Sequence, residues 1–241
     1  MSWAACPISA AYPPGSSNQD ASHSAAQEVH FGSQTAEVTE LANQASKSAG
    51  RLAGGDYLGR GDPMTGYGGK ELAEAFRTVR KNTIQVAEDI PETKYSFEAA
   101  PEVRSVGRML THVAISTRIW EEVHKKRLTS LADFDFFGTI DRFEAEESKP
   151  RSKAEIVALL RSEGGNFAAW LETLTPEFLA ESVTEPDGKT SKSRFERLLA
   201  AKEHEMHHRA QLMLIERQLG IVPHLTRQFN ERIAQMRAAR A

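Results

Sequence analysis

The chain has 241 residues, of which 40% are hydrophobic and 26% charged, enough for the core of one ordinary domain with an appendage. Its net charge of -3 gives no general attraction to nucleic acid or to anionic membranes, so neither is expected as a partner. The single Cys6 excludes an internal disulfide and a cysteine metal cluster. No apolar run approaches the roughly 20 residues of a transmembrane helix, and we expect a soluble cytoplasmic protein.

The first 69 residues differ in composition from the rest of the chain. They are rich in Ala, Ser, Gly and Pro, and they end in a glycine-rich stretch at 54–69. Such a segment buries too little apolar surface to offset the entropy that it would lose on ordering. We therefore expect a largely disordered N-terminal extension at 1–69 and one folded domain at 70–241.

From residue 70 onward the hydrophobic residues recur at helical spacing, and no strand with convincing alternation is found. The first helix is predicted at about 70–89, where it stops before Pro91. The second begins after Ser105, a favourable N-cap, and runs to about residue 128. Four long amphipathic helices and a shorter C-terminal one predict an all-α four-helix bundle with an extra C-terminal helix. The other predicted helices cover about 152–174, 193–219 and 225–238, with a turn at 185–188.

The fourth predicted helix contains the sequence His204-Glu205-Met206-His207-His208. This spacing puts His204 and His208 on one helical face, one turn apart, where both imidazoles can bind one metal ion. His112 falls inside the apolar arc of the second helix, and three neutral imidazoles from two facing helices would leave one coordination position for water. A set of surface or core histidines is the alternative that spacing alone leaves open.

The same five residues also match the HExxH pattern of zinc proteases. In that interpretation His204 and His208 bind zinc, and Glu205 is the general base that activates water. However, the sequence offers no candidate edge strand to hold a peptide and no third histidine at the metzincin spacing. A zinc protease is therefore our third choice.

Several other polar side chains lie near the apolar faces of these helices. Glu205 could accept a proton from metal-bound water, although an ion pair with Arg209 at i,i+4 is the simpler interpretation. Gln211 could bind a substrate or a ligand imidazole. Glu163 lies within the apolar arc of the third helix, where it would either orient a metal-bound histidine or form an ion pair. His124 is expected to be a favourable cation near the end of the second helix.

Two segments resemble the signatures of the DinB-like (YfiT-like) family. The segment 90–113 is similar to the region around that family's first metal histidine, and 204–211 is similar to its second signature, with Ala210 in place of the usual Gly. The resemblance covers about residues 70–220. It implies an up-down-down-up four-helix bundle with a divalent metal, nickel or zinc, on His112, His204 and His208.

The resemblance also implies a metal-dependent enzyme that acts on a small-molecule substrate. Relatives in this family include S-transferases that use a low-molecular-weight thiol as cosubstrate, and a hydrolase would use the same site with water. The alternative is a non-catalytic metal-binding stress protein that acts as a homodimer, in which the ion ties two helices together. Besides the ligands, the candidate site residues are Glu205 as a catalytic group and Arg209, Gln211 and Glu163 near the ligands or the substrate.

Overall fold

The computed structural model describes residues 66–132 and 134–240. The predicted extension at 1–69 therefore lies outside the described residues, apart from its last four. The described chain is mostly helical, with one small hairpin and a 3-10 turn at Glu92–Lys94. The elements are α1 (Gly69–Asp89), α2 (Val106–Lys125), α3 (Phe136–Glu147), α4 (Lys153–Glu172), α5 (Pro176–Ala180), β1 (Ser182–Thr184), β2 (Ser191–Ser193), α6 (Arg194–Gln218) and α7 (His224–Ala238).

Four of these helices, α1, α2, α4 and α6, form a four-helix bundle, which confirms the predicted fold class. Each of α1 and α2 packs against both α4 and α6. Arg77 near the start of α1 pairs with Glu172 at the end of α4, so these two helices are antiparallel. Gly107 near the start of α2 faces Ile156 near the start of α4, so α2 and α4 run in the same direction.

The remaining helix, α6, runs parallel to α1. Leu72 and Leu198, near the starts of the two helices, share one core cluster. Val86 and Ile215, near their ends, share the other. The order is therefore up-down-down-up, as the family resemblance implied. Two consecutive bundle helices in the same direction need a long crossover, and α3 occupies that crossover between α2 and α4.

The ends of the bundle helices follow the local signals in the sequence. Ser105 accepts a hydrogen bond from the backbone N–H of Arg108, so it is the N-cap of α2 as predicted. Ser193 forms a capping box with Glu196 at the start of α6. Gly220 has a φ of +77° just beyond α6, a conformation that glycine adopts without strain.

The helix α3 was not expected from the sequence. Only Thr139 and Glu147 of this helix are buried, and Phe137 is 80% exposed. A helix that buries so little apolar surface has no clear hydrophobic stripe, and periodicity does not reveal it. Asp135, whose side chain accepts from the Gly138 backbone N–H, is its N-cap.

The hairpin β1–β2 corrects the expectation that the chain has no strand. Its strands have three residues each, too few to show an alternating pattern. The turn predicted at 185–188 connects them, with Gly188 at a φ of +66°. Among the described helices, none combines the length and the apolar composition that crossing a membrane requires.

Candidate metal centre

Three imidazoles meet between α2 and α6. The Nε2 atom of His204 lies 3.1 Å from Nε2 of His112 and 3.2 Å from Nε2 of His208. Within the described residues, these three side chains form the group that could hold a metal ion, with one nitrogen of each within 4.8 Å of the others. A tetrahedral ion bound at about 2.0–2.1 Å separates two nitrogen ligands by roughly 3.3 Å, close to the observed spacing.

Hydrogen bonds at the opposite ring nitrogens set the tautomers of two of these histidines. His112 Nδ1 donates to Glu147 Oε1 at 2.5 Å, because an ionised carboxylate can only accept. His208 Nδ1 donates to Gln211 Oε1 at 2.8 Å, and the amide nitrogen of Gln211 faces His207 Nε2 at 3.3 Å. In both ligand candidates the proton is on Nδ1, so the Nε2 lone pairs of His112 and His208 face the same point as a metal requires.

Burial keeps two of the three imidazoles, those of His204 and His208, neutral. Burial lowers the pKa of His204 to about 2 and that of His208 to about 4, and the neighbouring His112 acts in the same direction. The Nδ1 atom of His204 is buried without a hydrogen-bond partner. Three ring nitrogens that converge in one place form a donor set that suits a divalent metal, and the residues present therefore fit such an ion.

Glu147 is a site residue that the sequence did not reveal. Its side chain is 1% exposed and accepts from both His112 Nδ1 and Arg104 Nε, the latter at 2.7 Å. Burial acts to raise the pKa of Glu147, but the hydrogen bonds from His112 and Arg104 outweigh it and hold the pKa below its usual value. An ionised carboxylate on the far nitrogen orients the ring of His112 and makes its Nε2 a stronger ligand.

Glu205 points away from the three imidazoles, toward α1. Its side chain is 2% exposed, and its two oxygens accept from Arg80 Nε at 2.9 and 3.0 Å. The structure thus pairs Glu205 with Arg80 rather than with Arg209, which corrects the expected i,i+4 pair. Arg209 instead donates to the backbone carbonyl of Val79 at 3.4 Å.

Two other candidate residues have clear partners. Glu163 accepts two hydrogen bonds from Arg118, at 3.1 and 2.6 Å. Of the two roles considered for Glu163, the structure therefore shows the ion pair. Glu163 makes no hydrogen bond with the three histidines. Gln211 contacts the imidazole of His208, a ligand candidate. This is one of the two contacts expected of Gln211.

The expectation that His124 is a cation is wrong. Its side chain lies at the end of α2 but is only 1% exposed. Burial lowers the pKa of His124 to about 3, and the positive charges of Arg194 and Arg197 act in the same direction. The ring is therefore neutral, mainly because it is buried, and the two nearby arginines add to the effect.

The fold and the site together define a class of protein: an up-down-down-up four-helix bundle in which three histidines from two helices form a group that could hold a metal ion. The chain belongs to the DinB family, whose profile matches residues 63–238. The uncharacterized protein YjoA of Bacillus subtilis (strain 168) is 25% identical over 152 residues, which are 62% of this chain and 90% of YjoA.

Two solved structures are similar. The crystal structure of the DinB-like protein YjoA from Bacillus subtilis has a TM-score of 0.48 and 22% identity, covering 62% of this chain and 92% of that chain. YfiT from Bacillus subtilis, described as a probable metal-dependent hydrolase with an unusual four-helix bundle topology, has a TM-score of 0.52 and 18% identity. That match covers 69% of this chain and 95% of YfiT, and the two share a fold.

Proposed function

We propose that this protein is a divalent-metal-dependent enzyme with His112, His204 and His208 as its protein ligands. The observation that carries the proposal is the convergence of three Nε2 atoms, with no carboxylate or thiol joining the group among the described residues. Three protein ligands leave a coordination position open, which is the arrangement of catalytic sites rather than structural ones. The ion is zinc or nickel, since neutral imidazole suits both.

The reaction that we propose is hydrolysis of a small-molecule substrate. When bound, the ion supplies Lewis acidity and lowers the pKa of a water in the open position. The description of YfiT as a probable metal-dependent hydrolase supports this choice. A low-molecular-weight thiol in the same position would give an S-transferase instead, and a closed site in a homodimer would have no activity.

The chain's own residues hold and orient the site. Glu147 and Gln211 keep the Nδ1 protons of His112 and His208 in place, so that both Nε2 atoms remain free to bind the ion. Trp120, 8% exposed, packs with its ring centroid 5.5 Å from that of His204 and shields the group from solvent. Shielding from water strengthens the electrostatic effect of a bound cation.

We propose a structural role for Glu205 rather than the general-base role that the HExxH pattern suggests. Both of its oxygens accept from Arg80, and neither makes a hydrogen bond with His112, His204 or His208. This arrangement speaks against the protease alternative, which requires that carboxylate to face the metal.

The experiment that tests the proposed function is a turnover assay on the full chain loaded with zinc or with nickel. Hydrolysis of p-nitrophenyl acetate, p-nitrophenyl phosphate and a p-nitroanilide is measured beside conjugation of a chlorodinitrobenzene with cysteine. We expect metal-dependent hydrolysis of at least one substrate, lost in His112→Ala and kept in His207→Ala. Conjugation without hydrolysis would replace the hydrolase with the S-transferase, and stoichiometric metal with neither activity would favour the non-catalytic homodimer, tested by sedimentation.

A further inference from the structure

A cavity of about 330 Å³ lies at the end of the bundle where α2 and α4 finish and α5 begins. It is distinct from the metal centre. His124 in its wall follows His112 on α2 by 12 residues, which is about 18 Å along a helix that rises about 1.5 Å per residue. The lining includes His124, Lys125, Arg127, Trp170, Leu174 and Phe178.

The wall of the cavity contains a buried hydrogen-bond donor without an acceptor. His124 is 1% exposed, and Arg194 Nη1 lies 3.2 Å from its Nδ1 atom. Because a guanidinium group can only donate, Nδ1 accepts and the proton of this neutral ring is on Nε2. His124 Nε2 has no partner, and neither has Arg194 Nη2 behind it, although Arg194 is fully buried. Unsatisfied buried donors are costly, so a small shift of the cavity wall that brings His124 Nε2 to an acceptor bound in the cavity would be favourable.

The charges around the cavity favour an anion. Lys125 and Arg127 line it, whereas no carboxylate does. The nearest acidic partners lie outside the lining: Glu121 pairs with Lys125 at 2.7 Å, and Glu181 lies 3.8 Å from Arg127. Glu181 is also shared, because it accepts from Arg194 Nε at 2.8 Å. Among the described residues, the ion pair of Arg127 is long and exposed, so its side chain can turn toward a ligand.

Two aromatic side chains of the lining contact these cations. The Lys125 ammonium lies 5.4 Å from the centroid of Trp170, and the Arg127 guanidinium lies 5.4 Å from that of Phe178. Flat apolar rings next to cations suit a ligand with a flat apolar body and one negative end. The volume is at the small end of the usual range for ligand sites, about 300–1,000 Å³, so the ligand is small.

We propose that this cavity is a second ligand site, which binds a small aromatic carboxylate. The carboxylate lies against Lys125 and Arg127 and accepts the proton of His124 Nε2, and the aromatic ring packs on Trp170 and Phe178. Arg194 is a positioning residue, because its hydrogen bond to Nδ1 keeps His124 in the donating tautomer. The site is independent of the proposed hydrolase chemistry.

The test is a titration of the metal-loaded full chain with benzoate, followed by NMR of the tryptophan indole N–H groups. Benzamide is the neutral control, with the same ring and no charge. We expect benzoate to shift the Trp170 signal saturably and to leave Trp120, next to His204, unchanged. Benzamide should shift neither signal.

Two arginine variants complete the test. Arg127→Gln removes an exposed cation from the cavity and should weaken benzoate binding about tenfold. Arg161→Gln removes an exposed cation that pairs with Glu88 elsewhere on α4 and should leave binding unchanged. The proposal is overturned if Trp170 does not respond up to the solubility of sodium benzoate, if benzamide acts equally, if only Trp120 responds, or if the two variants behave alike.

Discussion

Glu147 shows how a residue that does not touch a metal can determine how well the metal is bound. It belongs to a different element from all three histidines, yet its carboxylate is 2.5 Å from His112 Nδ1. Arg104 holds that carboxylate from the other side. The buried negative charge compensates part of the positive charge that an ion brings into the site.

Glu147→Gln should weaken zinc binding by about 10–100-fold, because the neutral amide no longer strengthens His112 as a ligand. The measurement is a competition titration against a chelator of known affinity. Glu163→Gln is the matched control, since Glu163 pairs with Arg118 and makes no hydrogen bond with a histidine. An equal loss of affinity in both variants would mean that general destabilisation, and not ligand positioning, is the cause.

Glu205→Gln should lower the free energy of unfolding by about 3–5 kcal/mol, because it leaves the Arg80 charge buried without a counter-ion. The zinc stoichiometry of the folded protein should not change. Urea denaturation and metal analysis measure the two quantities, with Glu203→Gln on the exposed side of α6 as the control. Lost turnover at unchanged stability would instead show that Glu205 is a general base.

The sequence was informative about the three histidines and uninformative about their partners. His204 and His208 are predictable because helical spacing fixes which side chains share a face, and His112 stands out on an apolar arc. The partners depend on tertiary structure. Arg80 lies 125 residues from Glu205, and Glu147 comes from a helix with no hydrophobic stripe.

At the scale of elements, α4 contains two adjacent glycines with opposite surroundings. A Cβ on Gly164 would lie 2.7 Å from Arg80 Cγ, whereas a Cβ on Gly165 would have nothing within 4 Å. Arg80 cannot easily move away, because it also donates to the backbone carbonyls of Leu160 and Val113. Gly164 is therefore required for the close approach of α1 and α4, and Gly165 is not.

Gly165→Ala should raise the free energy of unfolding by up to about 1 kcal/mol, since alanine is the better helix former and meets no neighbour. Gly164→Ala should lower it by about 1–3 kcal/mol through the clash with Arg80. Urea denaturation of the two variants measures both changes against the wild type. Equal effects of the two substitutions would contradict the packing of Arg80 between these helices.

The end of α6 contains a second buried carboxyl, in this case without a hydrogen-bond partner among the described residues. Glu216 is 0% exposed, and neither of its oxygens has a hydrogen bond. Burial raises the pKa of Glu216 to about 7, and the nearby Asp89 adds to the effect, while Arg227 and Arg217 oppose it. The folded state thus binds the proton more tightly than the unfolded chain, where the carboxyl has a pKa of 4.5.

Stability should fall as the pH rises from about 5 to about 8, by an amount of the order of 2 kcal/mol, and should level off above that range. The sign follows from linkage, because the unfolded chain releases the Glu216 proton at lower pH than the folded protein does. Glu216→Gln should abolish this fall, whereas Glu231→Gln on the exposed side of α7 should retain it. Urea denaturation at several pH values measures the difference, and a parallel fall in both variants would contradict the role of Glu216.

The ends of the bundle helices could be predicted to within about three residues, whereas of the connecting elements only the turn at 185–188 could. Long helices with one buried face and serine caps carry their own signals, as Ser105 and Ser193 show. The helix α3 has a cap in Asp135 but no hydrophobic stripe, and the strands of the hairpin are too short to show a pattern. Both lie in connections between bundle helices, and α3 contributes Glu147 to the site.

At the scale of the whole molecule, the up-down-down-up order explains why the site forms where it does. It makes α2 and α6 antiparallel neighbours, so that His112 in the first half of α2 meets His204 and His208 near the middle of α6. The same order requires a long crossover between α2 and α4. This crossover contains α3, which brings Glu147 to His112. The family match over 63–238 covers all of these elements.

The most direct test of the three-histidine centre is the metal content of the purified full chain, measured by mass spectrometry after loading with zinc and dialysis. We predict one ion per chain in the wild type and in His207→Ala, whose side chain lies outside the group of converging nitrogens. His112→Ala should lose the ion while circular dichroism shows that it stays folded. One tightly bound ion retained by folded His112→Ala would contradict the three-histidine centre.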